Sequence, residues 1–217
     1  LIAQESITLV KNENSFLPIV PNKYKKVAHL LLSTDDDLRT RLDLFSNDLK
    51  YTHGSVKEIY VNDPISPLGI KDIINKVKDS DLIIVSMLIR ISMNKGMSTI
   101  DVTHNKLLKE LDKLNIPIVG ISFGSPYLPD YSILDTYICT YGYGSITLDA
   151  AADALFGRKA ISGKLPISLN DTYKQGHGLL LKKKSNIFHS EETIDLSIPL
   201  NIIDQAIKDN IFPGAQL

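Results

Sequence analysis

The sequence predicts an α/β fold: a doubly wound, mostly parallel sheet of five to six strands with helices on both faces, an α/β sandwich. Two observations support this prediction. Short apolar runs alternate with amphipathic stretches through most of the chain. The apolar runs also lack the polar alternation of strands with one solvated face. A chain of 217 residues, 43% of them hydrophobic, can bury one core of this kind and still carry an appendage.

Five segments are the candidate strands, and most of them are short apolar runs. They are residues 27–32, 56–61, 82–88, 116–122 and 137–141. Each is bounded by polar residues or turn formers, as expected for strands that cross a sheet once and leave it through a loop.

Four stretches around these strands show helical periodicity. They are residues 38–49, 70–77, 104–114 and 145–156. In the second, Ile73, Ile74 and Val77 fall on one helical face, which predicts packing against the sheet. Ser145 is the expected N-cap of the last helix and Gly157 its terminator, and Asp101 is expected to cap or charge the first turn of the third.

In a doubly wound sheet, ligands bind outside the carboxyl ends of the strands. Three loops follow predicted strands at those ends: residues 89–100, 123–130 and 142–144. The middle loop begins Phe-Gly-Ser-Pro-Tyr, and its Gly124 and Pro126 predict a constrained turn. We expect this turn to serve structure rather than direct ligand contact.

Two motifs resemble the ends of one known domain. Residues 150–169, AADALFGRKAISGKLPISLN, resemble the end of the second domain of glycoside hydrolase family 3, in which a helix is followed by "LFG…isGkLPvs". Residues 5–13, ESITLVKNE, followed by residues 17–19, LPI, resemble the opening "ESitLvKNe…LPl" of the same domain. The resemblance covers roughly residues 1–180. The catalytic barrel that precedes this domain in the family is not encoded in these residues.

The resemblance implies that catalysis resides elsewhere in a larger enzyme. Retaining glycosidases need a carboxylate nucleophile about 5 Å from an acid/base group, and the family's nucleophile is an aspartate of the barrel. In the β-glucosidase branch this second domain supplies a glutamate acid from a loop, but residues 89–100 and 123–130 contain no glutamate. We expect Glu58 and Glu110 to be solvated. The pattern fits the β-N-acetylhexosaminidase branch, in which the resemblance implies a barrel histidine as proton donor.

We therefore expect a non-catalytic accessory domain with no catalytic residue of its own. Its partner would be the catalytic barrel of the same polypeptide, and a carbohydrate containing N-acetylglucosamine is the expected ligand. Hydroxyl, amide and cationic groups bond sugar hydroxyls, and tyrosine faces stack on pyranose rings. The residues at the strand ends with these properties are Arg90, Asn94, Lys95, Ser125, Tyr127, Tyr141 and Tyr143. The alternative is a stand-alone carbohydrate-binding or scaffold module.

The chain changes character after residue 180. Residues 181–197 are predicted to form a polar linker, and residues 198–207 are amphipathic. A helix followed by Phe212-Pro213-Gly214-Ala215-Gln216 resembles the start of a serine β-lactamase or penicillin-binding-protein domain. Residues 198–217 are therefore expected to begin such a domain.

Other functional classes find little support. The net charge of −1 offers no basic footprint for nucleic acid, and no apolar run reaches the roughly 18 residues of a membrane span. No signal peptide is recognisable, and we assign no compartment. The five histidines have no ligand spacing, so neither a metal nor another cofactor is expected.

Two short patterns leave an independent small enzyme open. Ser92 and Lys95 fit the S-x-x-K pattern of serine β-lactamases, but they lie in a Gly- and Ser-containing loop rather than at the start of a helix. Gly142 and Gly144 precede a helix as in a phosphate loop, yet Thr147 stands at the third glycine position. Cys139, the single cysteine, lies in an apolar run and is expected to be a small buried residue.

Overall fold

The structure, a computed structural model, describes residues 2–21, 23–34, 36–91 and 98–184, together with residue 205. The chain divides into two compact units, Leu1–Ile187 and Phe188–Leu217. The first unit contains every helix and strand named below. The predicted helix at residues 198–207 and the β-lactamase-like segment fall almost entirely outside the described residues.

A six-stranded sheet forms the centre of the first unit. Its strands are β1 (Thr8–Asn12), β2 (Val27–Ser33), β3 (Val56–Val61), β4 (Leu82–Ile89), β5 (Ile118–Gly124) and β6 (Thr136–Cys139). Their spatial order is β1-β6-β5-β4-β2-β3, and β2 to β6 are mutually parallel. All five predicted strands are confirmed. β1 was not predicted, and it pairs antiparallel with β6, with Thr8 opposite Cys139.

Five helices accompany the sheet. They are α1 (Ile2–Ser6), α2 (Leu42–His53), α3 (Pro67–Val77), α4 (Val102–Asp112) and α5 (Ser145–Leu155). Short 3-10 turns occupy Glu13–Ser15 and Asp36–Arg41. Within the described residues, no helix has the length and apolar character needed to cross a membrane.

Each face of the sheet has its own apolar core. On one face, Phe45 of α2 and Leu155 of α5 are fully buried in one cluster with Leu31 of β2. On the other face, Leu108 of α4 lies in a second buried cluster with Leu32, which follows Leu31 in β2. Because successive strand residues point to opposite faces and both faces are covered, β2 is buried along its whole length. The predicted doubly wound α/β sandwich is confirmed.

The order of the strands places one crevice in the sheet. The chain passes from β2 to β3 on one side, then returns to form β4 on the other side of β2 and continues outward. β2 and β4 therefore flank the topological switch point, where ligands bind in such folds. We call the edge at which β2 to β6 end the carboxyl edge, and the opposite edge the amino edge.

Residues 161–184 cover the outer side of β1, and we call this segment the strap. Leu179 N–H donates to the Leu9 carbonyl at 2.8 Å, and Gly163 N–H donates to the Ile7 carbonyl at 3.2 Å. The imidazole Nε2 of His177 lies 2.8 Å from the Val10 carbonyl oxygen. These bonds satisfy backbone groups that an uncovered edge strand would expose. The Gly176-His177-Gly178 segment thus holds the strap to the sheet.

The local signals at helix ends agree with the structure in two of three cases. Asp101 is the N-cap of α4, and its carboxylate accepts a hydrogen bond from Thr103 N–H at 2.7 Å. Gly157 follows α5 with a φ of 69°, the left-handed conformation that terminates helices. The prediction for Ser145 was wrong by one residue, because Gly144 is the N-cap and Ser145 opens the helix.

A polar network is buried beneath α2. The His29 ring is fully buried, with Nδ1 3.0 Å from Ser46 Oγ and Nε2 2.7 Å from Ser86 Oγ. Ser46 donates its hydroxyl to Glu58, which also forms an ion pair with Lys50. Since Ser46 gives its proton to the carboxylate, it accepts from Nδ1–H, and Nε2 accepts from Ser86. The expectation that Glu58 is solvated was wrong: its side chain is only 18% exposed.

Candidate functional site at the carboxyl edge

The crevice at the switch point is closed at its base by Thr34, the residue after β2. Thr34 N–H donates to the Leu88 carbonyl at 3.1 Å, and its hydroxyl oxygen accepts from Arg90 N–H at 3.1 Å. These two hydrogen bonds fix the backbone of Arg90 at the end of β4, and Arg90 is exposed. Arg90 is thus the predicted site residue that lies nearest the switch point.

The turn after β5 is built on Gly124. Its φ is 109°, and a Cβ at this position would lie 2.5 Å from the Ile89 carbonyl oxygen. The next residue, Ser125, donates its N–H to that same carbonyl at 2.9 Å. Only glycine fits both the conformation and the close approach, so the two loops after β4 and β5 are joined at this point.

Ser125 and Tyr127 occupy different environments in that turn. Ser125 is 2% exposed, and its hydroxyl donates to the Ser98 carbonyl. Tyr127 is half-buried, and its backbone carbonyl accepts from the Thr99 hydroxyl at 2.9 Å. Both residues therefore tie this turn to the last residues of the β4–α4 loop. Ser125 is oriented inward, whereas the Tyr127 side chain is partly accessible.

Tyr141 follows β6 in a conformation that side chains rarely adopt. Its φ is 60°, and its hydroxyl lies 3.0 Å from Thr8 Oγ1 of β1. Burial raises the pKa of the Tyr141 hydroxyl to about 12, so the group is neutral and can donate a hydrogen bond. A non-glycine residue held in this region is a frequent feature of functional loops.

Tyr143 lies two residues further on and is half-buried against the core of the α2/α5 face. The Arg41 guanidinium carbon lies 6.0 Å from the Tyr143 ring centroid, within cation–π range. Arg41 was not among the predicted site residues. Nothing in its sequence position signalled the contact, because it joins the loop after β2 to the loop after β6.

A cleft of about 760 Å³ opens beside Tyr141. The loop after β6, the first turn of α5 and α1 line it, with Tyr141, Gly142, Ile146 and Ile2 among the lining residues. The volume is in the range of small-molecule sites. The structure thus places Tyr141 at a cleft, while Arg90, Ser125 and Tyr127 lie at the ends of the two neighbouring strands. Asn94, Lys95 and Ser92 lie outside the described residues.

The carboxylates near this edge have structural partners. Hydrogen bonds from Thr103 hold the pKa of Asp101 below its usual range, as expected for a helix cap. Glu110 pairs with Lys113 at 2.6 Å on the exposed face of α4, which confirms the expectation that it is solvated. Glu5 is exposed on α1, and Glu13 lies past the end of β1, at the amino edge.

Cys139 ends β6 and is fully buried. Burial raises the pKa of its thiol to about 12, so the thiolate that a nucleophile requires is not populated near neutral pH. The expectation of a small buried residue is confirmed. Among the described residues, no group of three or more histidine, cysteine, aspartate or glutamate side chains could hold a metal ion.

The comparisons with solved structures agree with this architecture. The chain is similar to a β-glucosidase from Listeria innocua in complex with isofagomine, with a TM-score of 0.64 and 18% identity over 77% of this chain and 26% of that one. It is similar to the β-glucosidase EmGH1 from Erythrobacter marinus, with a TM-score of 0.66 and 17% identity over 82% and 34%. At these identities the likeness shows the fold.

A third similar structure is the β-glucoside phosphorylase BglX bound to 2FGlc, with a TM-score of 0.57 and 26% identity over 75% of this chain and 29% of that one. The chain thus spans between about a quarter and a third of the length of these structures. No curated protein matches it. Residues 7–195 match the family model described as the glycosyl hydrolase family 3 C-terminal domain. The match covers most of the chain, and with the fold it shows that this protein belongs to the family 3 glycosyl hydrolase C-terminal domain family.

Proposed function

We propose that the chain is the non-catalytic accessory domain of a family 3 glycoside hydrolase of the β-N-acetylhexosaminidase type. It buttresses the catalytic barrel of the same polypeptide and walls one side of the sugar site. The observation that carries this proposal is a ring of exposed apolar side chains at the carboxyl edge.

The first turn of each of the five helices α1 to α5 exposes one large apolar side chain. We call this set the apolar rim: Ile2, Leu44, Leu68, Val102 and Ile146, each between 55% and 85% exposed. Helices that follow parallel strands begin at the carboxyl edge, and α1 leads into β1 at the same edge because Thr8 pairs with Cys139. Ile91, just after β4, is also exposed there. Apolar surface concentrated on one edge indicates a docking surface.

The proposed occupant of this surface is the catalytic barrel. The family membership and the chain's share of its structural neighbours both support a longer polypeptide. A barrel seated on the apolar rim would meet Arg90, Tyr127, Tyr141 and Tyr143, which gives these residues their proposed place beside the sugar. Asn94 and Lys95 are proposed as sugar contacts from the sequence alone.

The hexosaminidase type rests on the sequence. The solved structures named above are β-glucosidases and a β-glucoside phosphorylase, so they support the family and not this branch. The loops 89–100 and 123–130 contain no glutamate to serve as an acid, and the Phe-Gly-Ser-Pro-Tyr turn resembles that of the hexosaminidases. Residues 198–217 are proposed to begin a β-lactamase-like domain on the same basis. Two experiments decide the branch. One is to sequence the coding region on both sides of the chain. The other is to assay the complete enzyme on p-nitrophenyl N-acetylglucosaminide and p-nitrophenyl glucoside.

Self-association tests the docking surface directly. We expect the 217-residue chain to form dimers or larger species near about 0.1 mM, because an uncovered apolar edge is buried most easily against itself. Replacing Leu68, Val102 and Ile146 together by serine should return it to a monomer in sedimentation velocity. These side chains are exposed, so the fold should be unaffected.

A control variant tests whether self-association depends on the carboxyl edge or on exposed apolar side chains anywhere on the domain. Val20, Tyr51 and Ile167 are also exposed but lie away from the carboxyl edge, and their replacement by serine should leave the association unchanged. A chain that sediments as a monomer at every concentration, or an equal effect of both triple variants, would contradict the proposed docking surface.

The alternative is a stand-alone carbohydrate-binding or scaffold module, and the cleft beside Tyr141 is the observation that supports it. It makes a different prediction for the chain by itself. A carbohydrate-binding module should bind N-acetylglucosamine at the carboxyl edge without a barrel, whereas a buttress should not. An NMR titration of the isolated chain with N-acetylglucosamine distinguishes the two, because shifts in the loop that contains Tyr141 report binding at the carboxyl edge.

A further inference from the structure

A second cleft, of about 590 Å³, lies on the other side of the domain, where the strap meets the end of β1. We call it the strap cleft. Its lining residues are Lys11, Glu13, Leu128, Pro129, Asp130, Tyr131, Ser132, Leu169, Asn170, Thr172 and Tyr173. Asn12 of β1 pairs with Thr136, the first residue of β6, so the neighbouring Lys11 and Glu13 lie at the amino edge. The strap cleft is therefore distinct from the cleft at the carboxyl edge.

Two polar side chains in the strap cleft are held rigidly while one end of each stays available. Asn170 Oδ1 accepts from the N–H groups of Thr172 at 2.9 Å and Tyr173 at 2.8 Å. Asp130 Oδ1 accepts from Ser132 N–H at 2.9 Å and from the Ser132 hydroxyl at 2.6 Å. Asn170 Nδ2, Asp130 Oδ2 and the Thr172 hydroxyl make no hydrogen bond to any residue that the structure describes. One donor, one anionic acceptor and one hydroxyl thus remain available in the cleft.

The aromatic wall of the strap cleft is also fixed in place. The rings of Tyr131 and Tyr173 meet edge to face with centroids 5.7 Å apart, and Tyr131 packs on the buried Tyr137 at 5.5 Å. The Tyr131 hydroxyl accepts from Leu128 N–H and donates to the Pro126 carbonyl. Side chains restrained in this way lose little conformational entropy when a ligand binds.

The charges of the strap cleft exclude an anionic ligand. Among the described residues that line the cleft, Lys11 is the one cation, and its ammonium group is already engaged by Glu13 at 2.9 Å and by the carbonyls of Tyr131 and Ser132. Asp130 is ionised, because hydrogen bonds from Ser132 lower its pKa. A purely apolar ligand would leave the Asn170 and Asp130 groups without partners, which costs binding energy. A neutral ligand rich in hydroxyl groups satisfies them and stacks on tyrosine.

From this arrangement we infer that the strap cleft is a second saccharide site, which binds a neutral oligosaccharide through Asp130, Asn170, Thr172 and Tyr173. The site lies away from the carboxyl edge, so it stays open when a barrel covers the apolar rim. It would hold one part of a sugar chain while another part is processed elsewhere. The inference does not depend on the branch of the family or on the barrel.

The test follows the backbone amide signals of the whole chain by NMR during titration with N,N′-diacetylchitobiose and, separately, with laminaribiose. We expect saturable shifts at Ser132, Thr172 and Tyr173, with a dissociation constant of about 1 mM for at least one disaccharide. N170D keeps the oxygen that accepts from Thr172 and Tyr173 but removes the amide donor, so binding should weaken at least about fivefold. D171N is the matched control. Asp171 is fully exposed and does not line the cleft, so binding should stay unchanged.

Three outcomes would overturn the inference. The first is the absence of shifts at about 20 mM of either sugar. The second is an equal loss of binding in N170D and D171N. The third is shifts confined to the loop containing Tyr141 and Tyr143, which would place the sugar at the carboxyl edge. That third result supports the alternative carbohydrate-binding module and removes this site, so the two can fail separately.

Discussion

Replacing Gly124 by alanine is expected to lower the free energy of unfolding by about 2–4 kcal/mol. The new Cβ would lie 2.5 Å from the Ile89 carbonyl oxygen, in a backbone conformation with a φ of 109° that L-residues avoid. Ile89 is the last residue of β4 and pairs with Gly124 in the sheet register, so its carbonyl cannot move without breaking the ladder. Urea unfolding followed by circular dichroism measures the change.

A substitution at a second glycine separates the two causes of this loss, which are the contact with the Ile89 carbonyl and the left-handed backbone conformation. Gly176 has a φ of 84°, but nothing lies within 4 Å of the position that its Cβ would take. Gly176→Ala should therefore cost only about 1 kcal/mol, which is the contribution of the left-handed conformation alone. Equal losses in the two variants would mean that the contact with Ile89 is relaxed at little cost. Our interpretation of the turn as a rigid joint between two strand ends would then be wrong.

The same joint explains why the sequence indicated the loops correctly but not the direction of their side chains. Gly and Pro identify a turn because their constraints are local. The burial of the Ser125 hydroxyl depends on Ser98, which is 27 residues away in the chain. Tyr141 likewise meets Thr8 across 133 residues. Contacts of this kind arise from the tertiary fold and leave no periodic signal in the sequence.

The strands and helix caps also divide into features that the local sequence reveals and features that only tertiary contacts reveal. β2, β4 and β5 are buried on both faces, so their continuous apolar runs identified them. β1 is a five-residue edge strand that ends in Lys11 and Asn12, and only its pairing with β6 reveals it. Asp101 was predicted as a cap because its partner Thr103 is two residues away. Glu58 was misjudged because Lys50 reaches it only after α2 folds back onto β3.

Mild acid should destabilise the domain, because His29 is buried in its neutral form. Burial lowers the pKa of His29 to about 3, against 6.5 for an unperturbed imidazole. A histidine with a lowered pKa in the folded state contributes stability that is complete above pH 6.5 and is lost as the pH falls toward 3. Because the unfolded chain binds this proton more readily than the folded one, the free energy of unfolding should fall by about 2 kcal/mol between about pH 8 and about pH 5. Urea unfolding at intermediate pH values measures this loss.

The variant H29Q isolates this contribution. A glutamine amide has one donor and one acceptor end, as the neutral ring does, so it can bond Ser46 and Ser86 without titrating. We expect H29Q to be less stable than the natural chain at about pH 8 but to lose about 2 kcal/mol less on acidification. Identical pH profiles for the natural chain and H29Q would show that His29 is not the titrating group.

Two other groups with shifted pKa values bear on this test. Burial also lowers the pKa of His53, so His53 adds to the loss in acid, and this part of the loss remains in H29Q. Burial favours a higher pKa for Glu58, but hydrogen bonds from Lys50 and Ser46 outweigh it, so the pKa lies below 4.5. The stability from Glu58 is therefore lost only in stronger acid.

His29 and Glu58 both hold Ser46 of α2, and α2 carries Leu44 of the apolar rim. Mild acid should accordingly loosen α2 first, and hydrogen exchange of its amides should speed up at about pH 5 before the exchange in α4 does.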